Sequence, residues 1–333
     1  MRKVLIITGP GGDAQGWGDM KVTETMCETL NSGDLTAEIA YVTTTEEFQK
    51  AISSRSFDIV WSALYYISQR EDIIGLGEDN EWVADMLDEK GIPYIGPNSL
   101  TMKQLIQKYE THRLMHENGV LVPAFRLVAS GDALPEVAYP AFVKPNCESR
   151  SIGISDDSVV HNLREMEQRV RYVHEKLEQA ALVEEYLPGR EYTVLMLGNG
   201  RLQEILPGLV TVDKSHFGRH RILRSDLRGV GLTRISIPTE RVEEAKELTK
   251  KATDALKCWD HVRVDMRVDA QGRLRVMEVN GIPGLKPVKS WSPQIYSLYH
   301  PSPGGPMEEY RNMLRLIVHS ALERYGIHVR IRS

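Results

Sequence analysis

The sequence contains few cysteines, no long hydrophobic run and no large excess of one charge sign. Cys27, Cys147 and Cys258 lie far apart and form no Cys-x-x-Cys pair, which argues against a disulfide framework or a zinc knuckle. A net charge of −5 argues against general affinity for nucleic acid or anionic membranes. The apolar run after Met1 is too short for a signal peptide, and no run approaches a membrane span. We therefore expect a cytoplasmic protein without nucleic-acid or membrane partners.

What is present is a chain of 333 residues with 41% hydrophobic content, enough for two or three domains. Near the N-terminus, strands alternate with helices, which predicts a parallel sheet. The predicted strands are 4–7, 37–42 and 58–62, and the helices are 20–30 and 46–52. The turn-rich segment 91–98 then suggests a domain boundary. Beyond it we predict strands at 124–128, 141–144 and 181–185, and helices at 103–118, 162–179, 240–256 and 307–324.

A hairpin spanning 261–280 is the strongest candidate for chemistry. Apolar and polar residues alternate from Val262 to Asp269, and residues 269–272 supply turn chemistry. If Asp269 faces Leu274, three further pairs are fixed, since a slip of one residue would move side chains to the opposite face. Those pairs are Asp265 with Glu278, Val264 with Val279, and Met266 with Met277.

This register would gather Arg263, Asp265, Glu278 and Asn280 on one face of the hairpin. Carboxylate and carboxamide oxygens are ligands that suit magnesium or manganese rather than zinc. A solvated face with ordinary ion pairs fits the hairpin equally well, so the pattern alone leaves both interpretations open.

The glycine-rich stretch 9–14 comes after the first strand and fits the loose G-x-G-x-x-G/A pattern of dinucleotide-binding sites, with Glu38 at about the right distance. Pro10 stands in the tight turn, and glycine-rich turns are common after first strands. A loop that contacts substrate at the carboxyl edge of the sheet is the favoured interpretation.

Two further segments have nucleotide-binding character. In 142–154, an apolar strand delivers Lys144 to a loop of small residues, where a lysine and free backbone N–H groups can hold phosphate oxygens. In 182–194, carboxylates flank a Pro-Gly turn and can accept from an adenine amino group or from ribose. A surface lysine and a solvent-facing hairpin are the respective alternatives.

Taken in order, these motifs resemble the ATP-grasp ligases, most closely the D-alanine:D-alanine ligase family. The order is a lysine, V-K-P, V-E-x-x-L-x-G-x-E, R-x-D and E-x-N-x-x-P-G, and the resemblance extends from about Gly75 to Tyr325, including 75–79 and 91–96. It implies an α/β (α+β) ATP-grasp fold, in which an open parallel sheet domain precedes two ATP-grasp subdomains. The implied boundaries are 1–97 for the N-terminal domain, 98–184 for the central subdomain and 185–333 for the C-terminal subdomain with the metal site.

The same resemblance implies ATP binding by a set of residues from the two subdomains. Phosphates would be bound by Lys108 and Lys144 under the loop from Glu148 to Ser151, the adenine by Glu184 and the Leu187 backbone, and the ribose by Glu191.

It also implies that Asp265, Glu278 and Asn280 hold two Mg²⁺ ions, with Mn²⁺ as a substitute, in agreement with the face assigned to the hairpin. Arg263 and the Gly284 N–H would stabilise the oxyanion of the reaction.

Three departures from the family pattern concern the substrates. Residues 8–18 lack the family's glutamate for the first alanine, Arg150 replaces a small serine, and Lys289 replaces a serine that binds the acceptor carboxylate. Arg150 would suit an acidic or bulkier donor, and Lys289 an acceptor carboxylate. Segment 212–231 resembles the family's closing loop but lacks its Lys-Tyr pair.

We therefore expect an ATP-dependent ligase that joins an amino acid to another amino acid or a small carboxylate through an acylphosphate, in specialised metabolism. The alternatives are a true D-alanine:D-alanine ligase, a nicotinamide-dependent oxidoreductase based on 9–14, and a nucleotide-binding protein without catalysis. By analogy with the family, the partners would be small-molecule carboxylates and amines and a second copy in a homodimer.

Overall fold

A computed structural model describes residues 1–32, 34–69, 80–224, 227 and 232–328. The N-terminal part is a four-stranded parallel sheet in the order β2-β1-β3-β6. Val4 to Ile7 are fully buried, because helices or other chain segments cover both faces of the central strand. The predicted parallel sheet is confirmed. Its elements, with a short two-stranded ribbon, are β1 Arg2–Thr8, α1 Gly12–Gln15, α2 Met20–Asn31, β2 Leu35–Tyr41, α3 Thr45–Ser54, β3 Ile59–Ser62, β4 Tyr66–Ile67, β5 Glu81–Trp82, α4 Val83–Glu89 and β6 Tyr94–Ile95.

The central part is a four-stranded sheet in the order β7-β10-β8-β9, with antiparallel pairing throughout. Its helix α7 packs Val170 and Val173 against Val143 and Val183 of the sheet. The elements are α5 Ser99–Ile106, α6 Lys108–Glu117, β7 Phe125–Val128, β8 Ala141–Pro145, β9 Val159–Val160, α7 Leu163–Leu177 and β10 Ala181–Glu185.

The single helix predicted over 103–118 is wrong, because α5 and α6 are separated at Gln107, which has extended backbone angles (φ −100°, ψ 99°). Asn146 explains the break. Its carbonyl accepts from the Lys108 N–H at 3.0 Å, and its side-chain oxygen accepts from the Tyr109 N–H at 2.9 Å. These bonds satisfy the first N–H groups of α6, so the chain starts a new helix there. The break places Lys108 beside the loop that comes after β8.

The C-terminal part is a five-stranded antiparallel sheet in the order β13-β12-β11-β14-β15. Helix α8 packs against β11, β12 and β15, and α9 packs against β11, β12 and β13 beside α10. Strands β12 and β13 and helix α9 were not predicted from the sequence. The elements are β11 Glu191–Leu197, β12 Glu204–Val212, β13 Thr233–Ser236, α8 Val242–Ala255, β14 His261–Val268, β15 Leu274–Asn280, α9 Trp291–Tyr299 and α10 Pro306–Arg324.

The predicted hairpin register holds at the site and fails near the turn. Asp265 faces Glu278 and Val264 faces Val279, as predicted. Met266 faces Val276 rather than Met277, since the register shifts after Asp265. The turn accounts for the difference: the Asp269 carboxylate accepts from the backbone of 271 and 273, so the hairpin closes with Val268 opposite Leu274. Met277 is an extra residue on β15 without a partner on β14, and it brings Glu278 back opposite Asp265, as predicted.

Asp260 connects the N-terminal sheet to the C-terminal part. Its carboxylate accepts from the Gly96 N–H at 2.8 Å and from the Arg324 guanidinium at 2.7 Å. Within the described part of the chain, no helix is both long and apolar enough to cross a bilayer.

Candidate active site

The candidate site lies where the central sheet meets the β14–β15 hairpin. Side chains from six different elements converge there, so strands that are distant in sequence form one cleft. We call the end of the cleft where the sequence predicts ATP the nucleotide-facing end. The charged residues that line it are Lys108, Lys144, Glu148, Glu184, Glu185, Glu191, Asp265, Arg267 and Glu278, and Ser151 and Leu187 line the same end.

Glu184 is a buried acid of this end with a strongly lowered pKa. It is 5% exposed, and its two oxygens lie 2.8 Å from Lys144 Nζ and 2.8 Å from His112 Nε2. Burial acts to raise the pKa of the carboxyl, but Lys144 and His112 outweigh it and lower the pKa to about 2. Glu184 and Lys144 were predicted to contact adenine and phosphate, and the structure brings them together as one buried ion pair.

Asp265 is fixed by donors from three strands. Arg263 donates to both of its oxygens, from Nε at 2.9 Å and from Nη2 at 2.8 Å. Thr193 Oγ1 donates at 2.7 Å from β11, and Asn280 Nδ2 donates at 3.2 Å from β15. With Glu278 opposite Asp265 in the sheet, all four predicted residues of this face lie close together.

Lys108 links Glu278 to the loop after β8. Its Nζ lies 2.8 Å from Glu278 Oε1 and also donates to the Glu148 carbonyl. Burial acts to raise the pKa of Glu278, but Lys108 and Lys144 outweigh it and lower the pKa despite the nearby negative charge of Asp265. Glu278 thus stays ionised beside a cation, as a metal ligand must.

The residues present fit a hard divalent cation. Among the described residues, no group of three or more His, Cys, Asp or Glu side chains is arranged to hold a metal. The candidate set is instead two carboxylates, Asp265 and Glu278, and the carboxamide of Asn280. Because Asn280 donates through its nitrogen, its amide oxygen is the atom able to bind a cation. An oxygen-only set that leaves room for water suits Mg²⁺.

The loop from Glu148 to Ser151 reaches the N-terminal part of the chain. Ser149 Oγ donates to the Ala14 carbonyl at 2.5 Å, and Arg150 donates to the carboxylate and carbonyl of Asp13. The loop therefore closes one side of the cleft. Arg150 lines a second part of the cleft, which we call the substrate-facing end because the sequence predicts the substrates there, and its guanidinium forms an ion pair with Asp13.

The substrate-facing end is a cleft of about 990 Å³ lined by the remaining predicted residues, Arg263, Gly284 and Lys289. Nε and Nη2 of Arg263 face Asp265, and within the described chain no group accepts from Nη1. The Gly284 N–H likewise has no acceptor among the described residues. Two donors are thus available at this end for an oxygen of a substrate.

The predicted closing loop, 212–231, is described to 224 and at 227. Ile222 and Leu223 are buried and line the nucleotide-facing end. Asp156 of the central part accepts from the Arg219 N–H at 2.8 Å and lies 3.7 Å from the Arg224 guanidinium. The described part of the loop thus covers the cleft. Residues 75–79, which contributed to the resemblance, lie outside the described residues.

The glycine-rich stretch 9–14 gives the dinucleotide prediction no support. Gly9 packs tightly on the sheet, where a Cβ atom would lie 2.2 Å from the Val42 carbonyl oxygen. Glu38 lies in the middle of β2 rather than at its carboxyl end, 3.5 Å from Arg55. The ribose-binding acid of a dinucleotide site would have to stand beside the loop.

Sequence reasoning missed three residues of the site. His112 belongs to no motif of the sequence, but it is 1% exposed and contacts Glu184. Thr193 lies opposite Asp265 in the sheet, and the period-two pattern from Glu191 was the signal available for it. Gln179, which donates to Glu148 at 2.8 Å, gave no signal because it lies just past the end of a helix.

Comparison with known proteins gives three findings. A family described as "D-ala D-ala ligase C-terminus" matches residues 129–297, just over half of the chain. "Uncharacterized protein y4sG" of Sinorhizobium fredii is 32% identical over 214 residues, 61% of this chain and 61% of that protein. A "D-alanine--D-alanine ligase" of Glaesserella parasuis is 30% identical over 223 residues, 63% of this chain and 68% of that protein.

Among solved structures, a Bacillus anthracis D-alanine–D-alanine ligase complexed with ATP superimposes with a TM-score of 0.68 at 20% identity. The match covers 98% of this chain and 99% of that one, which confirms the predicted ATP-grasp fold. With more than half of its length matched by the family, the chain belongs to the D-Ala–D-Ala ligase family of ATP-grasp carbon–nitrogen ligases.

Proposed function

We propose that the protein is an ATP-dependent ligase that joins the carboxylate of one amino acid or small acid to the amine of another. The observation that carries this proposal is the convergence of Lys108, Lys144, Arg263, Asp265 and Glu278 on one cleft. These residues come from separate elements of the central and C-terminal parts, and a solvated hairpin face would not bring buried charges of both signs together.

The nucleotide would occupy the end of the cleft between the central and C-terminal sheets. Lys108 and Lys144 would bind its phosphates, and residues 148–151 would cover them. Glu184 and Leu187 would bind the adenine, and Glu191 the ribose. Because Lys144 and Glu184 contact each other, nucleotide binding would have to share or replace that ion pair.

Asp265, Glu278 and Asn280 would hold the magnesium ions of the reaction. When bound, Mg²⁺ neutralises negative charge on phosphate oxygens. Lys108 and Arg263 already balance Glu278 and Asp265, so these residues keep the acids ionised and oriented in the fold.

The chemistry would proceed in two steps. An oxygen of the donor carboxylate bonds to the terminal phosphorus of ATP, the bond to ADP breaks, and an acylphosphate forms. The acceptor amine then attacks the acyl carbon and loses a proton, and phosphate leaves with its bonding electrons. Attack by the amine places a negative charge on the former carbonyl oxygen until phosphate leaves. Arg263 Nη1 and the Gly284 N–H would stabilise this oxyanion, and one such donor is worth about a hundredfold to a thousandfold in rate.

Two substrate assignments compete. Residues 8–18 contain no glutamate, and Lys289 and Arg150 differ from the family pattern, which favours substrates other than D-alanine and a specialised pathway. Gln15 occupies this segment, but it is buried and bonded to the backbone of Tyr65 and Tyr66. Similarity to proteins such as the D-alanine–D-alanine ligase of Glaesserella parasuis favours D-alanine for both positions.

The test is phosphate release from ATP by the purified full chain with a panel of carboxylates and amines, D-alanine included. We expect release only when an acid and an amine are both present, with a peptide or amide detected by mass spectrometry. Release with D-alanine alone would establish the competing assignment. Absence of release with every pair would contradict the proposed function.

Lys289 gives a second test of the acceptor site. Lys289→Ala should raise the KM of the acceptor while the KM of ATP stays unchanged, because Lys289 lines only the substrate-facing end. An unchanged acceptor KM would remove Lys289 from this role.

A further inference from the structure

The cations that line the substrate-facing end differ in whether a carboxylate balances them. Three are held by acids of the protein: Lys108 by Glu278, Arg150 by Asp13 and Arg263 by Asp265. Lys286 and Lys289 are exposed, and within the described part of the chain neither forms an ion pair. The cleft therefore presents two positive charges that the protein does not neutralise.

The acids of this end do not compensate them. Asp19 accepts from the Val22 N–H at 3.0 Å and caps α2, and Glu148 accepts from Gln179. Asp13 and Glu278 are paired with Arg150 and Lys108. An anion that neutralises Lys286 and Lys289 would thus have to come from outside the described chain.

One tight turn holds both lysines. The Lys289 N–H donates to the Lys286 carbonyl at 3.2 Å and to the Pro287 carbonyl at 2.7 Å, Pro287 occupies the second position, and Val288 has a φ of +62°. A bond between the first and fourth residues is typical of a tight turn, whose end residues lie within about 7 Å of each other. Glycine or asparagine is usual at the third position, and a β-branched residue there is strained.

The turn is also anchored at both ends. Ser290 Oγ accepts from the Lys286 N–H at 3.0 Å, and Gln294 Nε2 donates to the Lys289 carbonyl at 2.7 Å. The Leu285 N–H donates to the Trp17 carbonyl at 3.0 Å, which ties the start of the turn to the N-terminal part of the chain. The backbone of both lysines is thus fixed, and an anion that reaches both side chains would be attracted by two positive charges at once.

We propose that the turn 286–289 binds an acceptor amino acid that carries two negative charges, that is, one with an acidic side chain. This rests on the proposed ligase function. A neutral amino acid has one carboxylate, which a single cation can balance, whereas an aspartate- or glutamate-type acceptor has one carboxylate for each lysine. Trp17 and Trp291 line the same cleft and add apolar walls beside the charged turn.

The first experiment compares acceptors by phosphate release at saturating ATP and donor. Glutamate and aspartate, as D and L forms, are measured against glutamine, asparagine and alanine. We expect kcat/KM for the best acidic acceptor to exceed that of its amide by at least about tenfold, with the difference in KM. Equal values for the acid and the amide, or a preference for alanine, would overturn the inference.

The second experiment uses Lys286→Gln and Lys289→Gln, with Lys251→Gln as a control on the exposed side of α8. Each cleft variant should raise the KM of the acidic acceptor about tenfold, and its preference for acid over amide should fall. Lys286→Glu should instead favour a cationic acceptor such as lysine. If both variants change the KM of acid and amide equally, the turn does not recognise the second charge.

Different results would contradict the ligase function and the acidic acceptor. Phosphate release that is supported only by neutral acceptors retains the ligase function and removes the acidic-acceptor inference. Absence of release with every acid and amine contradicts the ligase function itself, and the acceptor inference falls with it. Melting temperatures of all variants, measured without substrates, should match the parent within error because the substituted lysines are exposed.

Discussion

The two ends of the cleft differ in how their charges are balanced. At the nucleotide-facing end, Lys144, Glu184 and His112 are buried, and Glu184 lies 2.8 Å from each of the other two. At the substrate-facing end, Lys286 and Lys289 are exposed and lack ion-pair partners among the described residues. The charges of the first end are therefore balanced within the protein, whereas the proposal assigns the balance of charge at the second end to a ligand.

The same division separates residues that match the family pattern from residues that depart from it. The motifs around Lys144, Glu184 and Asp265 match the family, and they concern the chemistry that all substrates share. Arg150 and Lys289 differ from the pattern, and they line the end where a specific acid or amine would bind. The proposal thus assigns the reaction class and the choice of substrate to different residues.

Glu278→Gln tests whether the nucleotide-facing end is catalytic, and it should have the largest effect. Removing the charge of a candidate Mg²⁺ ligand should lower kcat by about a hundredfold to a thousandfold and raise the Mg²⁺ concentration at half-maximal rate. Initial rates over a magnesium titration give both values. Glu240→Gln, at an exposed position outside the cleft, is the control. A normal magnesium dependence in Glu278→Gln would remove this residue from the metal site.

Glu184→Gln tests how strongly the buried pair at this end stabilises the fold. The pKa of Glu184 is lowered from 4.5 to about 2, so its stabilisation is fully present above pH 4.5 and is lost as the pH falls towards 2. The variant should be less stable than the parent at pH 7, and the difference in their free energies of unfolding should become smaller between pH 4.5 and 2. Urea unfolding at several pH values measures this difference. A difference that does not change with pH would contradict a stabilising role of ionised Glu184.

Asp156→Ala tests whether the described part of the closing loop retains nucleotide. Asp156 accepts from the Arg219 N–H and lies near Arg224, so its loss should loosen the loop and raise the KM of ATP several-fold. Asp157→Ala is the matched control, because Asp157 contacts Arg219 through an exposed ion pair that contributes little. Equal ATP KM values for the two variants would show that Asp156 does not hold the loop.

Periodicity predicted the parts of this fold that depend on local sequence. The buried strands of the N-terminal sheet and the pairing of Asp265 with Glu278 arise from alternation and from short turns. The break at Gln107 was not predictable, since Asn146, far along the chain, supplies the bonds that start α6. The contact of His112 with Glu184 likewise arises only when α6 meets β10.

The sequence predicted which residues form the candidate site, but not how they pair. Motif order indicated which residues share the cleft, but it could not show that Lys144 pairs with Glu184 or that Lys286 joins Lys289 on one turn. The first depends on how β8 and β10 pair in the sheet, and the second on a positive φ at Val288, which a β-branched residue gives no reason to expect. The domain boundaries and the individual roles of the site residues stay predictions.

Val288→Asn separates strain from charge at the substrate-facing end, and it should have the smallest effect. Asparagine tolerates a positive φ far better than a β-branched residue, so the free energy of unfolding should rise by about 1 kcal/mol. Val288→Thr keeps the β-branch and should show no gain in urea unfolding. Because both lysines and the turn are retained, the acceptor KM should change less than about twofold, whereas Lys286→Gln should change it about tenfold. A large KM increase in Val288→Asn would instead mean that the strained backbone, rather than the two charges, is what recognises the acceptor.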